Sequence, residues 1–147
     1  MRTKGLDNHV ECEAVVLSCV DYRFWLDIVD YVQNVLNIRK FDFPSIPGGV
    51  QAIIKGNELA LNCIHVPVAL HQVSKIILVN HEDCGAYGGS ENFLQGHGHE
   101  RTTHENDLSV ASRILSKKYP DLEIIALYAS LQGIIQIELP MRELILN

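Results

Sequence analysis

Two short motifs carry residues with metal-ligand chemistry. Cys19-Val20-Asp21-Tyr22-Arg23 reads C-x-D-x-R, and His81-Glu82-Asp83-Cys84-Gly85 reads H-x-x-C-G. Two thiols and one imidazole supply three of the four donors that a tetrahedral zinc ion takes. Three protein ligands with the fourth position open is the catalytic pattern, whereas closed structural sites use four. The reading is a Zn2+ site held by Cys19, His81 and Cys84.

These residues need elements that end where they begin. Ala14-Val15-Val16-Leu17 precedes the first motif and Ile76-Ile77-Leu78-Val79 the second. Neither run alternates with polar residues, as expected for strands covered on both faces of a parallel sheet. A first strand is expected over 14–18 and a third over 76–80. From Phe24 the period becomes helical. Trp25, Ile28, Val29, Val32, Val35 and Leu36 share an apolar face over about 24–37, opposite Asp27, Asp30, Gln33 and Asn34.

A short second strand, 38–44, stops at Pro44 and is followed by Pro47-Gly48-Gly49. The diglycine suits a tight strand-to-helix turn whose backbone can approach a ligand. It matches neither a phosphate loop nor a dinucleotide fingerprint. Residues 50–74 are helical in composition, with a break expected near His65-Val66 and a fresh start at Pro67. A helix over about 104–118, a fourth strand over 123–129 and an antiparallel edge strand over 134–139 complete the pattern, with an irregular or short helical lead-in over 1–12 and a loop over 90–101. The expected fold is α/β, with three layers. A mainly parallel four-stranded sheet carries helices on both faces and an antiparallel fifth edge strand, in one domain spanning 1–147. If the first and third strands are neighbours where the winding reverses, Cys19 and His81 meet in the crevice at their C-terminal ends.

Composition narrows the partners. Of 147 residues, 47% are apolar and 20% charged, and the net charge is −6. This is a globular balance, and its acidity argues against nucleic acid or an anionic membrane. No apolar run reaches the roughly 18 residues of a spanning helix, and Met1 to Asp7 has no apolar signal core, so a cytoplasmic location is expected. Reduced thiols or metal ligands then fit the four cysteines better than disulfides. Cys63 reads as a small buried hydrophobe, and Cys12 has no assignment. His97, His99 and His104 read as solvated loop histidines, His65 and His71 as packing or surface residues, and Trp25 as core. Glu82 and Asp83 stand between two ligands, where they can hydrogen-bond the site from behind.

The two motifs, in this order and about 60 residues apart, resemble the β-class carbonic anhydrases. The apolar strand before each motif, the Cys84-Gly85-Ala86 continuation and the Leu127-Tyr128-Ala129 to Ile134 segment agree, so the likeness covers roughly residues 13 to 139. It implies zinc on Cys19, His81 and Cys84, Asp21 and Arg23 as a paired dyad beside the metal, and a homodimer or higher homo-oligomer. Three features depart from the family pattern. Only 18 residues precede Cys19, Ser45-Ile46-Pro47-Gly48-Gly49 replaces an Arg-Asn-Ala-Gly-like stretch, and the bulky Tyr22 stands where the family has a small residue. The chain looks like a short, divergent branch.

Residue chemistry gives Asp21 two roles. Paired with Arg23 through parallel hydrogen bonds, it leaves the fourth zinc position to water and can accept that water's proton. Coordinated to zinc, it closes the tetrahedron in a resting state. The expected activity is reversible hydration of CO2 to bicarbonate through zinc-bound hydroxide. Alternatives are a zinc hydrolase of carbon disulfide or carbonyl sulfide, and a non-catalytic zinc-stabilised domain that binds an anion or a partner.

Overall fold

A computed structural model describes residues 10–93 and 97–141. In chain order the elements are β1 (Ala14–Leu17), α1 (Trp25–Asp30), β2 (Phe41–Asp42), α2 (Val50–Ile54), α3 (Glu58–His71), β3 (Lys75–His81), α4 (His97–Lys118), β4 (Glu123–Ser130) and β5 (Gly133–Ile137). Residues 1–9 of the expected lead-in, and 94–96 of the expected loop, lie outside the described residues.

The sheet order is β2-β1-β3-β4-β5, parallel except for the antiparallel β4–β5 pair. This is the expected α/β arrangement. The winding runs from β1 outward to β2, then reverses through β3 to β4, so β1 and β3 are neighbours at the switch point.

Alternate residues of the buried strands feed two cores, because successive side chains point to opposite faces. Val15, Leu17, Ile76 and Leu78 pack with Ile53, Ile64 and Leu108 of α2, α3 and α4. Ala14, Val16, Ile77 and Val79 pack with Phe24 and with Ile28 of α1. Burial on both sides explains why these runs are uninterrupted by polar residues.

Several boundaries differ from the sequence expectation. After α1 the chain passes into a π-helical turn, Tyr31–Val35, closed by Leu36 N–H donating to Tyr31 O at 3.0 Å. The inward stripe is Phe24, Ile28 and Val32, four apart, so Trp25 is 49% exposed and is not a core residue. β2 is only two residues long. The break in 50–74 falls at residues 55–57, not at His65-Val66. Asn57 caps α3 by accepting the Ala60 N–H at 3.1 Å. Pro67 sits inside α3 without interrupting it, on the buried stripe of Ala60 and Ile64, where packing outweighs one lost hydrogen bond. α4 starts seven residues before the expected position, at His97.

Candidate metal centre

β1 and β3 deliver the site. Cys19 lies two residues past the end of β1, His81 is the last residue of β3, and Cys84 follows one turn later. That turn is made possible by Asp83, which holds a left-handed backbone (φ 56°). One donor atom from each of Cys19, His81 and Cys84 lies within 4.8 Å of the others. The two sulfurs are 4.0 Å apart. Bonds of about 2.3 Å from two thiolates to a tetrahedral ion would set them roughly 3.8 Å apart, so the spacing suits a shared metal.

The imidazole is already oriented. His81 Nδ1 donates to the carbonyl of Glu82 at 2.7 Å, which leaves Nε2 as the lone-pair nitrogen. Nε2 is buried and has no hydrogen-bond partner. A buried polar atom without a partner costs free energy, and a cation between the sulfurs would satisfy it. The ring is fixed on its face by Phe24, 4.5 Å away between centroids. This donor set fits zinc.

Electrostatics point the same way. The Cys84 thiol, hydrogen-bonded to Cys19, holds the Cys19 thiol down at about 3, against the effect of burial. His81 and the backbone N–H groups of Gly48 and Asp21 add to that lowering. Cys84 is pushed up by the Cys19 sulfur and by burial. Burial lowers the His81 pKa, but the nearby Cys19 sulfur and the Glu82 carbonyl outweigh it and the net shift is upward. The three groups share protons that a divalent cation would displace.

The diglycine turn closes one side. Gly49 has φ 55° and ψ −116°, and a Cβ there would lie 2.8 Å from Asn80 Oδ1 and 2.9 Å from the Val79 carbonyl. The backbone can run this close to the end of β3 only without a side chain. The expected tight strand-to-helix turn is present, and what its backbone approaches is the end of β3.

Asp21 does not belong to the three-donor group. Its carboxylate takes Arg23 Nη2 at 2.7 Å and Nε at 3.0 and 3.2 Å, and Arg23 backbone N–H at 3.0 Å. The Arg23 side chain holds the Asp21 carboxyl down at about 2. Arg23 also reaches Asp83, Nη1 to Oδ2 and Nη2 to the carbonyl, both at 3.1 Å. Asp83 Oδ1 in turn accepts the Ser90 N–H at 2.8 Å. Tyr22 is 81% exposed.

Behind the site lies a buried polar cluster that sequence reading missed. Asn80 Nδ2 donates to His104 Nδ1 at 3.0 Å and to Tyr87 Oη at 3.1 Å, and Tyr87 donates to Asp107 at 2.7 Å. Glu100 accepts the Asp83 N–H at 2.7 Å. His104 is fully buried, not a solvated loop residue, and burial lowers its pKa to about 4. Its signal was the spacing of His104, Leu108, Ala111 and Leu115, one helical stripe. His99 is an exposed helix residue against Phe93, and His65 meets the Tyr119 hydroxyl at 3.2 Å. Cys63 is half-buried.

Fold and site together define a divergent β-carbonic-anhydrase-like α/β protein. Residues 9–138 match the family model described as "Putative carbonic anhydrase", and the chain belongs to that family. An uncharacterized protein of Rickettsia bellii is 28% identical over 134 residues, covering 86% of this chain and 81% of the relative. An uncharacterized protein of Rickettsia conorii is also 28% identical, covering 86% and 72%. The fold is similar to the β-carbonic anhydrase CafA of Aspergillus fumigatus, with a TM-score of 0.62, 12% identity, and coverage of 90% of this chain and 78% of that one. It is also similar to β-carbonic anhydrase isoform I of Trichomonas vaginalis, with a TM-score of 0.54, 12% identity, and coverage of 92% and 87%. Among the described residues no helix is long and apolar enough to cross a membrane.

Proposed function

We propose that the chain catalyses reversible hydration of CO2 to bicarbonate with zinc held by Cys19, His81 and Cys84. The observation that carries this reading is the buried, unpartnered Nε2 of His81 beside two thiols, next to an Asp21–Arg23 pair. Zinc held there would supply a Lewis acid able to activate water as a nucleophile.

The protein's own groups do the rest. Cys19 and Cys84 would ligate as thiolates, their protons leaving to solvent, and the Glu82 carbonyl keeps His81 in the ligating tautomer. Arg23 holds Asp21 ionised and away from the three donors, which leaves the fourth position to solvent and a carboxylate able to accept a hydrogen bond from a water there. Arg23 also adds a cation beside a site whose two thiolates cancel the metal's charge. Asp83 grips the same guanidinium from its far side. The exposed apolar side chains of Tyr22, Trp25 and Leu26 next to the site support assembly as a homodimer.

The test is metal analysis of the purified chain coupled to stopped-flow CO2 hydration across pH 7 to 9. One zinc per site with hydratase activity is expected. Zinc without hydratase activity at any pH overturns the catalytic reading.

A further inference from the structure

A second group of donors converges at the opposite end of the sheet. Cys12 precedes β1, Asp42 ends β2, and His71 is the last residue of α3, whereas Cys19 and His81 follow β1 and end β3. Cys12 and Cys19 are seven residue steps apart, roughly 20 Å along the strand direction. The two groups are therefore independent.

One donor atom from each of Cys12, Asp42 and His71 lies within 4.8 Å of the others. Cys12 Sγ is 3.6 Å from Asp42 Oδ2, and His71 Nδ1 is 2.5 Å from the same oxygen. A thiolate at about 2.3 Å and a carboxylate oxygen at about 2.1 Å from one tetrahedral ion stand roughly 3.6 Å apart, so the first spacing already fits. The second is a hydrogen bond that must open to roughly 3.3 Å for both atoms to ligate. The His71 and Asp42 side chains are 36% and 31% exposed, which leaves them room to do so and an ion a way in.

The backbone beneath is tied down. Cys12 N–H donates to the His71 carbonyl at 3.1 Å, and Glu13 N–H to the Lys40 carbonyl at 2.9 Å, two residues before Asp42. Gln72 ends α3 in a left-handed conformation, which holds His71 where it meets β2.

We propose that Cys12, Asp42 and His71 form a second metal site, taking a borderline divalent cation such as zinc through one sulfur, one oxygen and one nitrogen. Solvent completes the coordination. Binding replaces the Cys12 thiol proton and moves the proton on His71 Nδ1 to Nε2 or to water, so one cation enters and at least one proton leaves. Nothing in this site depends on the reaction proposed for the other.

The experiment is Zn2+ and Co2+ binding to the full chain under reducing conditions, by equilibrium dialysis and absorption. Wild type should take two equivalents and Cys12→Ser one. A Cys19→Ser/Cys84→Ser variant should keep one equivalent and a cobalt–thiolate charge-transfer band, and adding Cys12→Ser should abolish that band. His71→Gln should weaken the second equivalent at least about tenfold, the scale on which metal sites respond to lost hydrogen-bonding partners alone. A single equivalent in wild type, wholly lost in Cys19→Ser/Cys84→Ser, overturns the proposal. So does a second equivalent indifferent to both Cys12→Ser and His71→Gln. If His71→Gln lowers the melting temperature while both the affinity and the stoichiometry of the second equivalent stay as in wild type, the residues form a structural ion pair and the proposal is again overturned.

Discussion

Cys19 and Cys84, 65 positions apart in sequence, hold their sulfurs 4.0 Å from one another, beside the unpartnered nitrogen of His81. The distance is too long for a disulfide, whose sulfurs bond at about 2.05 Å, and close to that of two thiolates on one zinc. Replacing Cys84 by Ser removes one of three protein donors. The metal of this site and hydratase activity should be lost together, measured as the fall of one zinc equivalent and of the stopped-flow rate on the same sample. Activity that persists after the metal has gone would remove zinc from the chemistry.

Asp21→Asn tests the carboxylate without touching a ligand. The variant should keep its zinc and lose most turnover, at least about tenfold, as expected when a group that orients the nucleophile is lost. The sign of its effect on stability is separate. With its pKa lowered from 3.8 to about 2, the ionised Asp21 contributes stability that is complete above pH 4 and lost as the pH falls towards 2. Wild type, but not Asp21→Asn, should show that component in acid titrations of unfolding. Turnover equal to wild type would show that Asp21 has no part in the reaction.

Asp83 grips Arg23 at the surface, so its loss should loosen the guanidinium more than the fold. Asn accepts the left-handed backbone at this position better than most residues. Asp83→Asn should retain metal, cost under about 1 kcal/mol of stability, and lower kcat several-fold, less than Asp21→Asn. An unchanged kcat would mean that Asp21 alone suffices to hold Arg23.

Gly49→Ala places a methyl group against Asn80 Oδ1 and the Val79 carbonyl in a backbone region that L-residues avoid. Urea unfolding should show a loss of about 2 kcal/mol or more. Because the clash falls on Val79 and Asn80, directly before His81, metal affinity should fall as well. Unchanged stability would mean that the turn can move aside.

His104 is neutral in the fold because burial lowers its pKa from 6.5 to about 4, opposed by nearby Glu100 and Asp107 and aided by His81. The unfolded chain takes up a proton on this residue below pH 6.5, so its contribution is complete above 6.5 and declines to pH 4. The decline amounts to about 3 kcal/mol at most, from 1.36 kcal/mol per pKa unit. In urea titrations at pH 7 and 4.5, His104→Gln should lose less stability than wild type between the two. Equal losses would assign the acid sensitivity to other groups.

The three donors, the strands that deliver them and the α/β class were legible in the chain alone because each is written in contiguous residues. A two-sided strand needs an unbroken apolar run, and a ligand at a strand end needs only to follow it. Exposure was less legible. Trp25 and His104 exchanged their expected places because helix phase is fixed by what the helix packs on, and an error of one residue turns a side chain by about 100°. Pro67 was read by its local preference, which the core overrode. Only the tertiary structure decided that Asp83 joins Arg23, that Gly49 lies against the end of β3, and that Cys12, Asp42 and His71 meet. Those relationships join residues 29 to 60 positions apart through the pairing of β2, β1 and β3, and no local spacing in the chain encodes them.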